Sequence, residues 1–586
     1  MSTEPQGIRA EASRGGVCRL EGQSVVAYEH VTVVVDARID NVTSLRKALG
    51  GGSSVGEVVA RAYLLWGEPF LDRLVGDFAL VVADSRRGRL LAARDPFGVR
   101  PLFYRVTAQA WSFASAVRWL SPGGVSNRRL NEQRVVEYLV GHYVSTDATF
   151  LEDVKEVPAG HLLSFGVGEV VKARYWNPPA PSGAHIELRE YQDEYERLFV
   201  QAVRRRMASE RPVMVQISGG LDSSAIAMAA NRVGQEEGLA RDSLHGVSAK
   251  YPGLDCDESR YIAAVAREVR FEVTQWDGTQ PDDTDLRAPF GDQPGGGAAF
   301  FGGTVGDLEI ARVHRAKVIL SGVGGDQLGA VNGYLLALVH DGRWIEALRE
   351  LIASRDATLS SRLGRFRRVL RQAAPGWLVA RWDRPRVAVP RWLAPGFEEL
   401  ARDILSSAPV VEDAKLGPLQ EVVWRRLNAP GTLRSIATLT TLAQSWAMEY
   451  RFPFLDKDLV EFTLSMPYQA WPRPSQDSRF HRSALAELLP AEIRERRTKA
   501  EFTPALVNRI KRSASSITKL ICEGEWASTR YVDRQEARYL WGLAISSDER
   551  SMSPASWRQL WSIVTFEAWQ RGNLEYTPDD RGVYPS

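Results

Sequence analysis

Residues 213–227 read VMVQISGGLDSSAIA. The stretch opens on an apolar run, VMVQI, the pattern of a buried parallel strand. It breaks at Ser218-Gly219-Gly220-Leu221-Asp222-Ser223-Ser224 and resumes as AIAMAANRV, an apolar helix. Strand, glycine turn and helix together present free backbone N–H groups and the positive end of a helix, which suits a phosphate. Gly219 and Gly220 leave no Cβ between backbone and anion. Ser218, Ser223 and Ser224 add hydroxyl donors. Asp222 has the wrong sign for phosphate, and it fits if it holds a magnesium ion that in turn holds the phosphates. The loop lacks the lysine of a Walker-type motif, so that site is excluded. Asp and Ser also cap ordinary turns, but seven specified residues in one strand-to-helix turn exceed what a cap requires.

A second stretch repeats the theme. KVILSGVGGDQLGA (317–330) is again a strand running into a glycine loop that carries an aspartate, Asp326. Between the two lie a strand, SLHGVSAKY, and a helix, DESRYIAAVAREV, with Asp257 or its neighbour as N-cap. YQDEYERLFVQAVRRRM (191–207) reads as an amphipathic helix leading into the first strand. This alternation predicts a doubly wound α/β sheet, with ligands beyond the carboxyl ends of its strands, where both loops emerge.

The bulk properties narrow the class. A chain of 586 residues should hold at least two domains. Hydrophobic content of 44% and charged content of 25% are ordinary for a globular protein. A net charge of +2 gives no polyanion-binding signature, so no nucleic-acid partner is expected. Cys18, Cys256 and Cys522 are far apart and form no metal-ligand spacing, which fits a reducing cytoplasm. The polar first residues lack a signal-peptide core, and no apolar run approaches a membrane span.

The first 176 residues read as β-rich, with two strands around the turn Ser85-Arg86-Arg87-Gly88. DARIDNVTSLRKAL, FLDRLVGDFALVVAD and RDPFGVRPLFY in this part resemble the glutaminase domain of asparagine synthetases. The resemblance implies a sandwich of two antiparallel sheets with flanking helices over residues 1–176. A Pro-rich linker follows at 177–186, then an ATP-pyrophosphatase domain over 187–586 with a helical C-terminal part. An Arg/Trp/Pro-rich elaboration near 339–409 reads either as amphipathic Arg stems over Trp or as a peptide-docking surface.

The resemblance also implies site residues. SGGLDSS resembles the family's pyrophosphate loop, so residues Ser218, Gly219, Gly220, Leu221, Asp222, Ser223 and Ser224 are expected to bind the nucleotide as ATP. Ser321 and Gly322 match nucleotide-contacting positions, and backbone near Gln216 and Ala249 matches positions that hold adenine. Asp222 and Asp326 are the expected Mg2+ ligands. AMEYRFPFLDKDLVEFTLSMP resembles the E-x-R-x-P-F-L-D segment, which makes Glu449 the candidate to orient or deprotonate an attacking amine. A salt bridge to Arg451 is its other reading. Lys499, in RRTKAEF, matches the lysine that lies over the phosphates and the acyl intermediate.

Departures from the family shape the functional expectation. A glutaminase of this class uses a cysteine at the mature N-terminus, whereas Ser2 follows Met1 and Cys18 is internal, best read as a small packed thiol. The family's glutamine-holding Asn-Gly pair is Asp36-Ala37. DQPGGGAAFFGGTVGDLE (292–309) has glycines where an aspartate-gripping arginine would fall, and Val323 replaces the tyrosine of β-lactam synthetases. The chain is therefore most similar to lasso peptide cyclases. That implies adenylation of an Asp or Glu side chain of a precursor peptide and attack by the peptide's own N-terminal amine. A leader-peptide-binding protein and a leader peptidase are the partners this implies. An asparagine synthetase, a β-lactam synthetase-like ligase and a catalytically inactive peptide-binding protein are the alternatives.

Overall fold

The computed structural model describes residues 8–13, 18–22, 25–108, 110–120, 128–166, 170–181, 187–280, 293–294, 301–329, 333–353, 364, 369, 388–408, 411, 416–473, 480–496, 500–546 and 552–575. Its N-terminal part holds two antiparallel sheets. One has five strands, β1 (Ile8–Ser13), β2 (Cys18–Gly22), β7 (Phe103–Val106), β8 (Ala110–Ala114) and β9 (Val154–Glu156), in the order β2-β1-β8-β7-β9. The other has six, β3 (Val25–Tyr28), β4 (Val31–Ile39), β5 (Gly76–Asp84), β6 (Arg89–Arg94), β10 (His161–Phe165) and β11 (Val171–Arg174), in the order β11-β10-β6-β5-β4-β3.

The two-residue period of a strand explains how the six-stranded sheet is covered on both faces. Ala79 and Val81 of β5 face Ile8, Leu102 and Phe113 in the core between the sheets. Phe78, Leu80 and Val82, one residue out of phase, face Val58, Val59 and Tyr63 of the helix Val55–Trp66. The expected hairpin joins β5 to β6, and the Asp84 carboxylate accepts the Arg86 and Arg87 N–H groups to close it (3.0 and 2.9 Å).

The second part is built on five parallel strands, β12 (Val213–Gln216), β13 (Leu244–Lys250), β14 (Val273–Asp277), β15 (Val318–Leu320) and β16 (Glu449–Arg451), in the order β14-β13-β12-β15-β16. Helices Leu188–Met207 and Leu221–Glu236 pack with this sheet into one large apolar core. Trp176, at the end of the first part, is fully buried in that same core. Its indole N–H donates to Glu461 (2.6 Å), which nails the two parts together.

The C-terminal helices form another core. Trp541, Trp557, Trp561 and Trp569 pack there with Val135, Val136 and Leu139 of helix Glu132–Val140 from the first part. Trp392, Leu393 and Phe397 of the Arg/Trp/Pro-rich stretch lie in this core too, so its end is structural packing. The middle of that stretch, 354–387 apart from 364 and 369, lies outside the described residues with the 182–186 part of the linker. No described helix is long and apolar enough to cross a membrane.

Candidate active site

The first glycine loop leaves the carboxyl end of β12. Gly219 has φ +73°, and a Cβ there would sit 3.0 Å from Tyr261 Cβ and 3.1 Å from Glu258 Cβ, so glycine is required twice over. Ser223 Oγ accepts the Ser218 N–H (3.0 Å) and pairs with Ser218 Oγ (2.8 Å), which fixes the loop's curvature. Helix Leu221–Glu236 begins at Gly220, and no side chain caps its first turn. Its first N–H groups therefore face a ligand position at the positive helix end.

The second loop leaves the adjacent strand, β15, and lies directly on the first. A Cβ on Gly325 would stand 2.5 Å from Asp222 Cγ, and one on Gly322 would stand 3.2 Å from the Ser223 nitrogen. The Asp222 carboxyl thus rests on the backbone of the residue before Asp326. Both aspartates are half-buried at neighbouring strand ends. Among the described residues no group of three His, Cys, Asp or Glu forms a metal cage. Two hard carboxylates without a closed cage fit magnesium, which keeps waters and shares its ligands with phosphates.

The groups that hold these loops from behind carry no local mark in the sequence. Tyr195 and His481 are both buried, and Tyr195 OH lies 2.5 Å from His481 Nδ1. Burial, and then the Asp222 charge, push the tyrosine far above its ordinary value, so it stays protonated and donates. His481 Nε2 then carries the ring proton and donates to the Gly325 carbonyl (2.8 Å). Gly329 leaves room for the ring, since a Cβ there would meet it at 2.4 Å.

Arg496 donates to the Gly219 carbonyl (2.9 Å), pairs with Glu258 and lies 4.1 Å over the Tyr261 ring. Lys499 lies outside the described residues. Its neighbours on either side are anchored, Arg496 at the first loop and Phe502 against Tyr251 beyond β13 (centroids 5.9 Å). Gln216 and Ala249 sit half-buried at the carboxyl ends of β12 and β13. The Gln216 side chain accepts the Ser321 hydroxyl (2.9 Å) and donates to Asp307 (2.6 Å).

Glu449 sits apart from this cluster. It opens β16, opposite Val318 at the start of β15, and faces the first domain. One carboxylate oxygen accepts from Arg100 of that domain (2.5 Å) and the other from Arg451. Arg100 reaches on to Asp36 (3.6 Å). Burial alone would raise the Glu449 carboxyl, but Arg100 and then Arg451 outweigh it and hold the group down at about 2. While both arginines pair with it, the carboxylate is a poor proton acceptor for an amine. The expected salt bridge to Arg451 is present, joined by an interdomain pair that the sequence did not signal.

Two family models match the chain, Asparagine synthase over residues 194–571 and Glutamine amidotransferase domain over residues 21–176. The chain belongs to the asparagine synthase family. A glutamine-hydrolyzing asparagine synthetase 3 of Bacillus subtilis (strain 168) is 30% identical over 238 residues, 38% of this chain and 37% of that protein. Amidase chry2 of Gibberella zeae is 32% identical over 229 residues, 37% of this chain and 33% of that protein. The chain thus spans only about a third of the length of these two curated relatives. A further asparagine synthetase-type relative, from Mycobacterium bovis, is 25% identical over 559 residues, 89% of this chain and 80% of that protein.

Proposed function

We propose that this asparagine synthase family member is an ATP-dependent ligase that closes a macrolactam in a precursor peptide. The Asp36–Arg100–Glu449 contact carries this reading. Asp36 stands where the family resemblance puts a glutamine-holding asparagine, yet it is half-buried, with its carboxyl raised by desolvation, and its carboxylate lies 3.6 Å from Arg100. Arg100 in turn binds Glu449 of the synthetase sheet. A side chain turned to the arginine that pairs across the domains is poorly placed to hold glutamine, so the amine comes from the substrate itself. A cavity of about 420 Å3 adds room for a peptide. It lies beside the segment after Lys499 and is lined by Leu254, Asp255, Glu501, Val507, Lys511 and Trp557.

The chemistry follows from the loops. ATP binds with its phosphates at Ser218, Gly219, Gly220, Ser223 and Ser224. Asp222 and Asp326 would hold magnesium, which when bound neutralises charge on the phosphates. A peptide side-chain carboxylate oxygen bonds to the α-phosphorus, the α–β phosphoanhydride bond breaks, and pyrophosphate leaves. The peptide's amine then bonds to the acyl carbon and AMP leaves, the amine proton passing to solvent or a carboxylate. Tethering amine and acyl group in one folded peptide contributes up to roughly 7–11 kcal/mol. Pyrophosphate exchange into ATP, run with peptide or with free aspartate, tests the reading. Exchange driven by aspartate and not by peptide would point to an asparagine synthetase, and no exchange with either would point to an inactive binding protein.

Three smaller predictions attach to this proposal. The protein should release no glutamate from glutamine, and steady release in a coupled glutamate assay would contradict the role given to Asp36 and Arg100. Lys499→Met should lower exchange and cyclisation together by roughly 100- to 1,000-fold, the effect of losing one preorganised donor, with ATP affinity nearly unchanged. Glu449→Gln, which loosens the contact with Arg100 and Arg451, should lower exchange and cyclisation alike, and a loss confined to cyclisation would instead put the carboxylate on the amine. Equal loss of both would assign Glu449 to the domain contact alone.

A further inference from the structure

We infer that Asp307 is a positioning residue of the nucleotide site, acting through Gln216 to hold the two phosphate loops in register. Asp307 lies in helix Phe301–Val313, inside a glycine-rich stretch whose sequence promised no charged contact, and it is 2% exposed. Its Oδ2 accepts from Gln216 Nε2 (2.6 Å) and its Oδ1 from the Trp276 indole N–H (2.9 Å). The Gln216 amide oxygen is thereby turned to Ser321, whose hydroxyl donates to it (2.9 Å). Gln216 ends β12, just before the first loop, Ser321 opens the second, and Trp276 lies in β14. One side-chain relay therefore ties three strands at the end of the sheet from which both loops emerge. Gly306 permits the close approach, because a Cβ there would stand 2.6 Å from the Trp276 ring.

The relay needs the carboxylate form. Two N–H donors require two acceptor oxygens, and a protonated acid or an asparagine offers only one free of its own hydrogens. Without Asp307 the Gln216 amide loses what distinguishes its two ends, and Ser321 loses a fixed acceptor. Burial raises the Asp307 carboxyl to about 6, against the lowering effect of the Trp276 and Gln216 hydrogen bonds. The titratable groups that face it are Tyr251 at the end of β13 and Tyr450 of β16, both pushed up by burial and so neutral throughout the range at issue.

Calorimetric titration with ATP and magnesium, without acyl substrate, tests this independently of the peptide. Asp307→Asn should bind ATP roughly 10-fold or more weakly at pH 7.5, the effect of losing a hydrogen bond to a charged group. Lowering the pH through about 6 protonates Asp307 in the wild type. The ratio of variant to wild-type Kd should therefore shrink toward one, while the nucleotide's own titration cancels in that ratio. A merely structural role would lower the melting temperature and leave the ratio flat. Should Asp307→Asn fail to fold, Gln216→Leu takes its place and should abolish the same pH dependence. Wild-type binding with a variant within about twofold at every pH would overturn the role of Asp307 alone. A wild type that binds no ATP would overturn the ATP-using reading as well.

Discussion

Asp222→Ala and Asp326→Ala are each expected to abolish pyrophosphate exchange and product formation, by about 1,000-fold or more. That is the several kcal/mol a bound cation supplies to a phosphoryl transition state. The geometry makes the two aspartates a unit. Asp222 rests on Gly325, and Asp326 is the next residue, at the mouth of the neighbouring strand. Neither has a third protein carboxylate, histidine or cysteine grouped with it among the described residues, so neither is replaceable by a neighbour. Exchange is assayed at saturating magnesium, with melting temperatures checking that each variant folds. Near-normal turnover in either variant would remove that residue from the site.

The largest stability effect is expected at Arg206. It ends the helix that leads into the first loop and is almost wholly buried. Its guanidinium donates to Asp456 (2.7 Å) and lies 3.9 Å from Asp77 and 4.0 Å from Asp40 of the first domain. Asp456 also caps the helix Lys457–Ser465, accepting the Asp458 and Leu459 N–H groups. Burial by itself would raise Asp456 and Asp77; nearby arginines, Arg206 among them, pull both down. Arg206→Met keeps the length and leaves these carboxylates buried beside one fewer cation. Breaking a buried pair of this kind costs about 3–5 kcal/mol, to be read as a lower urea midpoint. The double variant Arg206→Met with Asp456→Asn should lose less than the sum of the two single losses. Additive losses would mean that the pair does not couple.

The loops were legible because they combine two local signals, a switch from strand to helix pattern and glycines at the turn. Gly219 and Gly325 carry that information in their own identity, since each occupies a place where a Cβ would collide. The groups behind the loops carry no such mark. Tyr195 and His481 read as one residue in an amphipathic helix and one in a short helical run, 286 positions apart. Arg100 and Glu449 are 349 positions apart, and only the docking of the domains brings them together. Asp307 was hidden for another reason. A carboxylate in a run of glycines looks solvent-exposed, and its burial depends on Trp276 arriving from β14 and Gln216 from β12. The tryptophans near 390 were ambiguous because a large aromatic suits both a core and a docking surface, and for Trp392 the core won.

In the proposed reaction the carboxylate and the amine that are joined belong to one peptide. Mass spectrometry of candidate precursor peptides incubated with the protein, ATP and magnesium tests it most directly. The expected product is one water lighter than the peptide and resistant to N-terminal labelling, with AMP and pyrophosphate formed in equal amounts. Unchanged peptides alongside asparagine made from aspartate, with glutamine or ammonia as the nitrogen source, would contradict it.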